Sequence, residues 1–186
     1  MNQQAPIRQG NFIQTYSGVH FYPLDPRPEE ILIEDIAHAL SMQCRYAGHV
    51  NEFYSVAQHS VLVSHNVPKE LALWGLLHDA TEAYLVDIPR PIKPMLKGYA
   101  FIEDTLMREI AHKFYLKGRK IPEEVKRVDA AILVDESKAL ISHPTTGWTL
   151  PEPALGIDII PWSPKEAEQR FMHRFLALTG PNHSYI

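Results

Sequence analysis

The sequence predicts an all-α chain folded as a single domain, and three observations predict it. First, the 15 prolines cluster, with three in 23–28, three in 89–94 and five in 144–164. Proline lacks a backbone N–H and its ring clashes with the preceding helical turn, so the long proline-free windows 29–67, 95–121, 123–143 and 165–180 are where helices can run. Second, apolar residues inside these windows recur at the three- and four-residue spacing of one helical face. Third, strand-like alternation over six or more residues is absent. A length of 186 residues corresponds to one domain, and the windows hold about six or seven helices.

Taken in order, residues 1–28 read as irregular, with a short hairpin expected around Gly18. Residues 31–44 form a helix with the buried stripe Ile33, Ile36, Ala37, Leu40 and Cys44. A second helix starts at Ser55, which with Gln58 makes a capping box, and buries Val56, Ser60 and Val63 beside His59. A third runs from Pro68, suited to a first turn, to about Tyr84, with Leu71, Trp74, Leu77 and His78 on one face. The stretch VDIPRPIKPML is a proline-ordered loop. Residues 99–117 form a helix through Ile102, Leu106, Ile110 and Phe114, stopped by Gly118. Residues 122–140 form another, with Glu123 and Glu124 at its positive end and the stripe Val125, Val128, Ile132 and Leu140. After the irregular segment 144–164, a last helix opens with the Ser163–Glu166 capping box and runs through Ala167, Phe171, Phe175 and Leu178 to Gly180.

Composition excludes several classes. The formal charge is −4, and no run of five basic residues exists to track duplex nucleic acid or a membrane surface. The longest apolar stretch, Leu71 to Leu77, is far short of the roughly 20 residues of a spanning helix. The first residues lack the charged-then-apolar order of a secretory leader. One cysteine, Cys44, allows no internal disulfide, so a reducing cytoplasmic setting is expected.

The chemistry-bearing residues stand on or beside apolar stripes: His59, the pair His78-Asp79, and Asp129. Burying such groups costs several kcal/mol unless they are paired or bound to a metal. Asp129, four residues after Val125 and three before Ile132, needs a cation or a donor network. Each has an ordinary alternative: a single histidine on an apolar face is more often a satisfied core residue, and Asp129 could pair with a nearby arginine. As an ordered set on separate helices, however, two imidazoles and two carboxylates suit a divalent metal such as Mn, Fe, Co, Ni or Zn, with positions left for water and substrate.

The segments FYSVAQHSVLVS at 53–64, LLHDATEAYLVDIPRPIKP at 76–94 and VKRVDAAILVDESKAL at 125–140 resemble the HD-domain metal-dependent phosphohydrolases. The branch they resemble is that of the 5′-deoxynucleotidases and related nucleotide-hydrolysing proteins, over residues 31–140. The middle segment, HD-x-x-E-x-x-x-x-D before a proline loop, is the most specific. The resemblance implies a single HD-type helical bundle and a metal set of His59, His78, Asp79 and Asp129. Asp135 is a rival for the last ligand, but the segment VDAA matches better than VDES. Glu82 matches the catalytic glutamate, which orients or deprotonates the attacking water, and Asp87 a second functional acid. Arg45, Arg90 and Lys93 are the candidates for phosphate. Phe21, Tyr22 and Tyr46 are candidate stacking partners for a base, and His49 and His65 lie near the ligands in sequence.

The expected activity is hydrolysis of a phosphate ester of a small nucleotide, a deoxynucleotide by resemblance, assisted by one divalent ion (Mn, Co, Zn, Ni, Fe or Mg). Removal of triphosphate from a deoxynucleoside triphosphate is the alternative within the same chemistry. A metal- and nucleotide-binding module without turnover is the alternative of another class. A homo-oligomer, most simply a dimer, is implied by the resemblance alone.

Overall fold

A computed structural model describes residues 8–143 and 152–180. Among them, seven α-helices carry the fold: α1 (Ile33–Met42), α2 (Val56–Asn66), α3 (Ala72–Leu77), α4 (Glu82–Leu85), α5 (Tyr99–Lys113), α6 (Glu123–Leu140) and α7 (Pro164–Thr179). The only sheet among the described residues is a two-stranded hairpin, β1 (Ile13–Gln14) against β2 (His20–Phe21). Gly18 turns it at φ +89°, a left-handed conformation that costs glycine nothing. No helix among the described residues is long and apolar enough to cross a membrane.

Helix α2 is the centre of the bundle, packed against α3, α7, α1 and α6. Its start is set by Ser55, whose hydroxyl accepts the Gln58 N–H at 3.0 Å. The second half of the expected capping box is missing. The Gln58 amide instead clamps the segment before α7, donating to the Ile160 carbonyl and accepting from the Trp162 N–H, both at 2.8 Å. At α7, Ser163 likewise caps Glu166 N–H while the Glu166 carboxylate binds Arg170.

Contact between α2 and α3 is unusually close. A Cβ on Gly75 would lie 2.9 Å from the Ser64 Cα, so only glycine allows this approach. The apolar faces of α1 (Ile33, Ile36, Ala37, Leu40), α5 (Leu106, Ile110) and α7 (Ala167, Phe171, Phe175) are buried as their spacing predicts.

Three expectations are corrected. Cys44 lies beyond the end of α1 and is only half buried, because the chain leaves the helix at Gln43 in extended conformation. The helix expected from Pro68 to Tyr84 is broken into a short 3₁₀ turn (Lys69–Leu71), α3 and α4, with His78–Thr81 between the last two. There the backbone tightens to i→i−3 bonds, Ala80 to Leu77 and Glu82 to Asp79, while the His78 ring takes the Gly75 carbonyl. Helix α5 ends at Lys113 rather than 117: Tyr115 turns left-handed, and the Leu116 N–H folds back onto the Ala111 carbonyl. The remaining described part of the 144–164 segment, 152–163, is irregular as expected, and 144–151 lie outside the described residues.

Candidate metal centre

The break between α3 and α4 places His78 and Asp79 at the end of one helix, facing His59 on α2 and Asp129 on α6. His59 is fully buried and His78 nearly so. One ligand atom from each of His59, His78 and Asp129 can be chosen so that all lie within 4.8 Å of one another. His59 Nε2 is 3.1 Å from Asp129 Oδ1 and 3.7 Å from Asp79 Oδ2; His78 Nε2 is 3.3 Å from the same Asp79 oxygen.

The donor set fits a divalent ion on a specific observation. Both Nε2 atoms are buried and neither has a hydrogen-bond partner. The outer nitrogens are already committed. His78 Nδ1 lies 2.8 Å from the Gly75 carbonyl, which can only accept, so Nδ1 carries the hydrogen and Nε2 is the nitrogen turned to the centre. Two imidazoles, each offering Nε2 once that nitrogen is free of its proton, with two carboxylates would match the charge and softness of a first-row divalent metal.

The electrostatics are those of a site short of positive charge. Burial and Arg45 work to lower the His59 value, but Glu136 and Asp129 outweigh them and raise it to about 9. Burial opposes ionisation of Asp129, yet His59, His78 and Arg45 hold its carboxyl far below the usual range. Glu82, at the first turn of α4, is buried, and its Oε2 meets no partner. Burial above all, then the charges of Asp79 and Asp87, push its carboxyl up to about 10, against a smaller pull from Arg45 and Lys93. Asp79 and Asp87 thus both stand close enough to Glu82 for their charges to act on its carboxyl.

Arg45 reaches the cluster from a loop laced by an isolated bridge between Cys44 and Ser55 and by the Arg45 N–H to Tyr54 carbonyl bond of 2.9 Å. Tyr46 and Ala47 after it both adopt left-handed backbone, at φ 56° and 51°. Such conformations strain non-glycine residues and persist where the surroundings enforce them. The guanidinium lies 3.6 Å from Asp79 and 3.3 Å from Glu136, and its buried Nε is unpartnered.

Other candidates fall elsewhere. Lys93 is tied to Glu103 at 2.9 Å beside the Tyr99 ring, although its charge still reaches Glu82. Arg90 is exposed on the proline loop. Phe21 is fully buried with its ring stacked on Tyr84 at 4.0 Å, so it offers a base no free face, because the hairpin folds it inward onto α4. Tyr22 lies under the Arg8 guanidinium, in the hairpin region rather than at the cluster. Tyr46 does lie at the cluster, its hydroxyl donating to Glu136 at 2.6 Å. His49 and His65 are exposed. Asp135 accepts the N–H groups of Leu155 and Gly156 at 2.9 and 3.1 Å, and so anchors the segment before α7.

Glu136 is the residue that sequence reasoning missed. It is fully buried and gathers His59 Nδ1 at 2.6 Å, the Tyr54 hydroxyl at 2.9 Å, the Tyr46 hydroxyl at 2.6 Å and the Arg45 guanidinium at 3.3 Å. Burial opposes its ionisation, but Arg45 and His59 hold its carboxyl at about 2. A signal existed: Glu136 follows Asp129 by seven residues, two helical turns on, which puts the two on one face of α6.

No protein-family model matches the chain. An uncharacterized protein of Rhodobacter capsulatus is 37% identical over 121 residues, 60% of this chain and 61% of the relative. The uncharacterized protein YfdR of Escherichia coli strain K12 is 42% identical over 168 residues, 89% of this chain and 94% of the relative. At that identity and coverage, the protein belongs to the family of YfdR.

Proposed function

We propose that the protein is a metal-dependent phosphohydrolase acting on a small nucleotide, in the manner of the 5′-deoxynucleotidases among the HD-domain enzymes. The observation that carries this reading is the convergence of two buried, unpartnered imidazole nitrogens with Asp129 and Asp79 beside a buried arginine. Bound there, a divalent ion supplies Lewis acidity and lowers the pKa of a coordinated water.

The chain's own residues do the rest. Arg45 offers a phosphate the positive charge and the free Nε–H that a bridging or terminal oxygen needs. Glu82, with one oxygen unbonded, is suited to orient the attacking water, and to take its proton where the positive charge of a bound ion would lower the raised proton affinity of the carboxyl. The Asp87 carboxylate adds to the burial and to Asp79 in raising the proton affinity of Glu82. The cations favour a short phosphate chain. Among the described residues, Arg45 is the buried cation at the cluster, Lys93 is bound to Glu103, and Arg90 stands in solvent. A 5′-monophosphate of a deoxynucleoside is therefore the substrate this reading favours, with nucleoside and orthophosphate as products.

The test is release of phosphate from ribo- and deoxynucleoside mono-, di- and triphosphates, using chelator-stripped protein given Mn, Co, Zn or Mg, with His78→Ala as control. The expected result is metal-dependent orthophosphate from a deoxynucleoside monophosphate, reduced at least a hundredfold in the control. Triphosphate as product would shift the reading to a triphosphohydrolase. Metal binding with no turnover on any nucleotide would leave a binding module.

A further inference from the structure

We infer that Glu136 is a positioning residue that holds His59 in the one ring form and orientation able to present Nε2 to the ion. The inference rests on the metal-centre reading above. It goes beyond it by adding a residue that no ligand spacing identifies.

The geometry carries it. Glu136 is fully buried, and both of its oxygens are occupied by donors. Oε1 meets His59 Nδ1 at 2.6 Å and the Tyr54 hydroxyl at 2.9 Å; Oε2 meets the Tyr46 hydroxyl at 2.6 Å and Arg45 Nη2 at 3.3 Å. Arginine can only donate, so at least one side of this carboxylate is committed as acceptor, and a carboxylate so surrounded accepts throughout. His59 Nδ1 must then carry a hydrogen, which leaves Nε2 as the nitrogen aimed at Asp129 and Asp79. The ring cannot turn over without breaking the 2.6 Å contact and leaving a buried carboxylate oxygen short of a donor. A carboxylate behind a metal-binding histidine both fixes the ring and raises its basicity as a ligand.

An ion pair serving stability alone would need only Arg45. The shorter contact is to the ring, 2.6 Å against 3.3 Å, and the two tyrosine hydroxyls donate one to each oxygen of the carboxylate. Arg45 and Tyr46 on the loop thereby share one anchor with the ligand itself.

Two measurements on the full chain test this. In the first, ZnCl₂ and MnCl₂ are titrated into chelator-stripped wild type, Glu136→Gln and His78→Ala, with metal-free thermal melts to show that each variant folds. Glutamine keeps the volume of glutamate but replaces one acceptor with a donor. Glu136→Gln is expected to weaken metal binding by about 10- to 100-fold, the loss typical when such a supporting partner is removed. A folded Glu136→Gln that binds as wild type, while His78→Ala does not bind, overturns this inference and leaves the metal centre standing. Failure of the wild type to bind either ion overturns both. The second measurement needs no variant. In ¹⁵N-histidine-labelled, zinc-loaded wild type, His59 is expected to show a solvent-protected Nδ1–H resonance with Nε2 metal-bound. A His59 Nδ1 without a hydrogen, or bound to zinc, overturns the proposal.

Discussion

The two histidines of the centre are held by regions that work on opposite principles. His78 sits where α3 presses onto α2: the contact is apolar and steric, made possible by the missing side chain of Gly75, and the ring is steered by a backbone carbonyl. His59 sits where α2 faces α6 and the Arg45 loop: the contact is polar, and the ring is steered by the buried carboxylate of Glu136 inside a set of two tyrosines and an arginine. Steric positioning is insensitive to pH and salt but unforgiving of volume. Electrostatic positioning tolerates small shifts but fails badly when one charge is removed. A centre that uses both makes its two histidines vulnerable to different changes.

The largest separation should come from Glu136→Ala. It removes the nearer carboxylate of the Arg45 guanidinium and the acceptor of His59 Nδ1 and the Tyr54 hydroxyl in the interior, and breaking a buried pair in this way costs about 3–5 kcal/mol. Urea unfolding should show that loss; a change under about 1 kcal/mol would mean that water reaches the site and Glu136 is not a buried hub. Gly75→Ala tests the steric side. Its added methyl meets the backbone of Ser64, not a flexible side-chain end, so the helices must part, at about 1–3 kcal/mol. Unlike Glu136→Ala, its stability loss should be the same at low and high salt, because no charge is touched. A marked salt dependence in Gly75→Ala would erase the contrast.

The smallest effect is a surface yardstick on the hairpin. Asp25 is bonded to Arg8, and that bond, against a weaker effect of burial, lowers its carboxyl below the ordinary 3.8. A lowered folded value means stability that is present above pH 3.8 and lost as pH falls through the lower folded value. Asp25→Asn should therefore lower Tm slightly at neutral pH, converge with wild type in acid, and so flatten the acid fall of Tm. An Asn variant with the same acid profile as wild type would show that this half-buried pair adds nothing.

Much of this molecule was legible before folding. The faces of α1, α5, α6 and α7 follow from apolar spacing, because a helix needs one continuous stripe to bury and little else is required to recognise it. The start of α2 follows from Ser55, since capping is a local bond between residues three apart. His59, His78, Asp79 and Asp129 stood out because ionisable groups on apolar faces demand partners. The reading lost its grip where partners come from far along the chain. Gln58 reads as half of a local cap, yet its amide binds backbone 102 and 104 residues away. Phe21 reads as a candidate stacking partner for a base, yet the hairpin buries it on Tyr84.

Periodicity, proline placement and a few ionisable residues out of place determined the helical class and named four groups that want a cation, because those signals are local or depend on a single helix face. Which nitrogen of each histidine faces the centre, the break that turns His78 and Asp79 toward it, and the capture of His59 by Glu136 from 77 residues away were decided by tertiary structure. The reason is physical: each depends on whether a polar group, once buried, finds its donor or acceptor on a different helix, and only packing the helices together settles that.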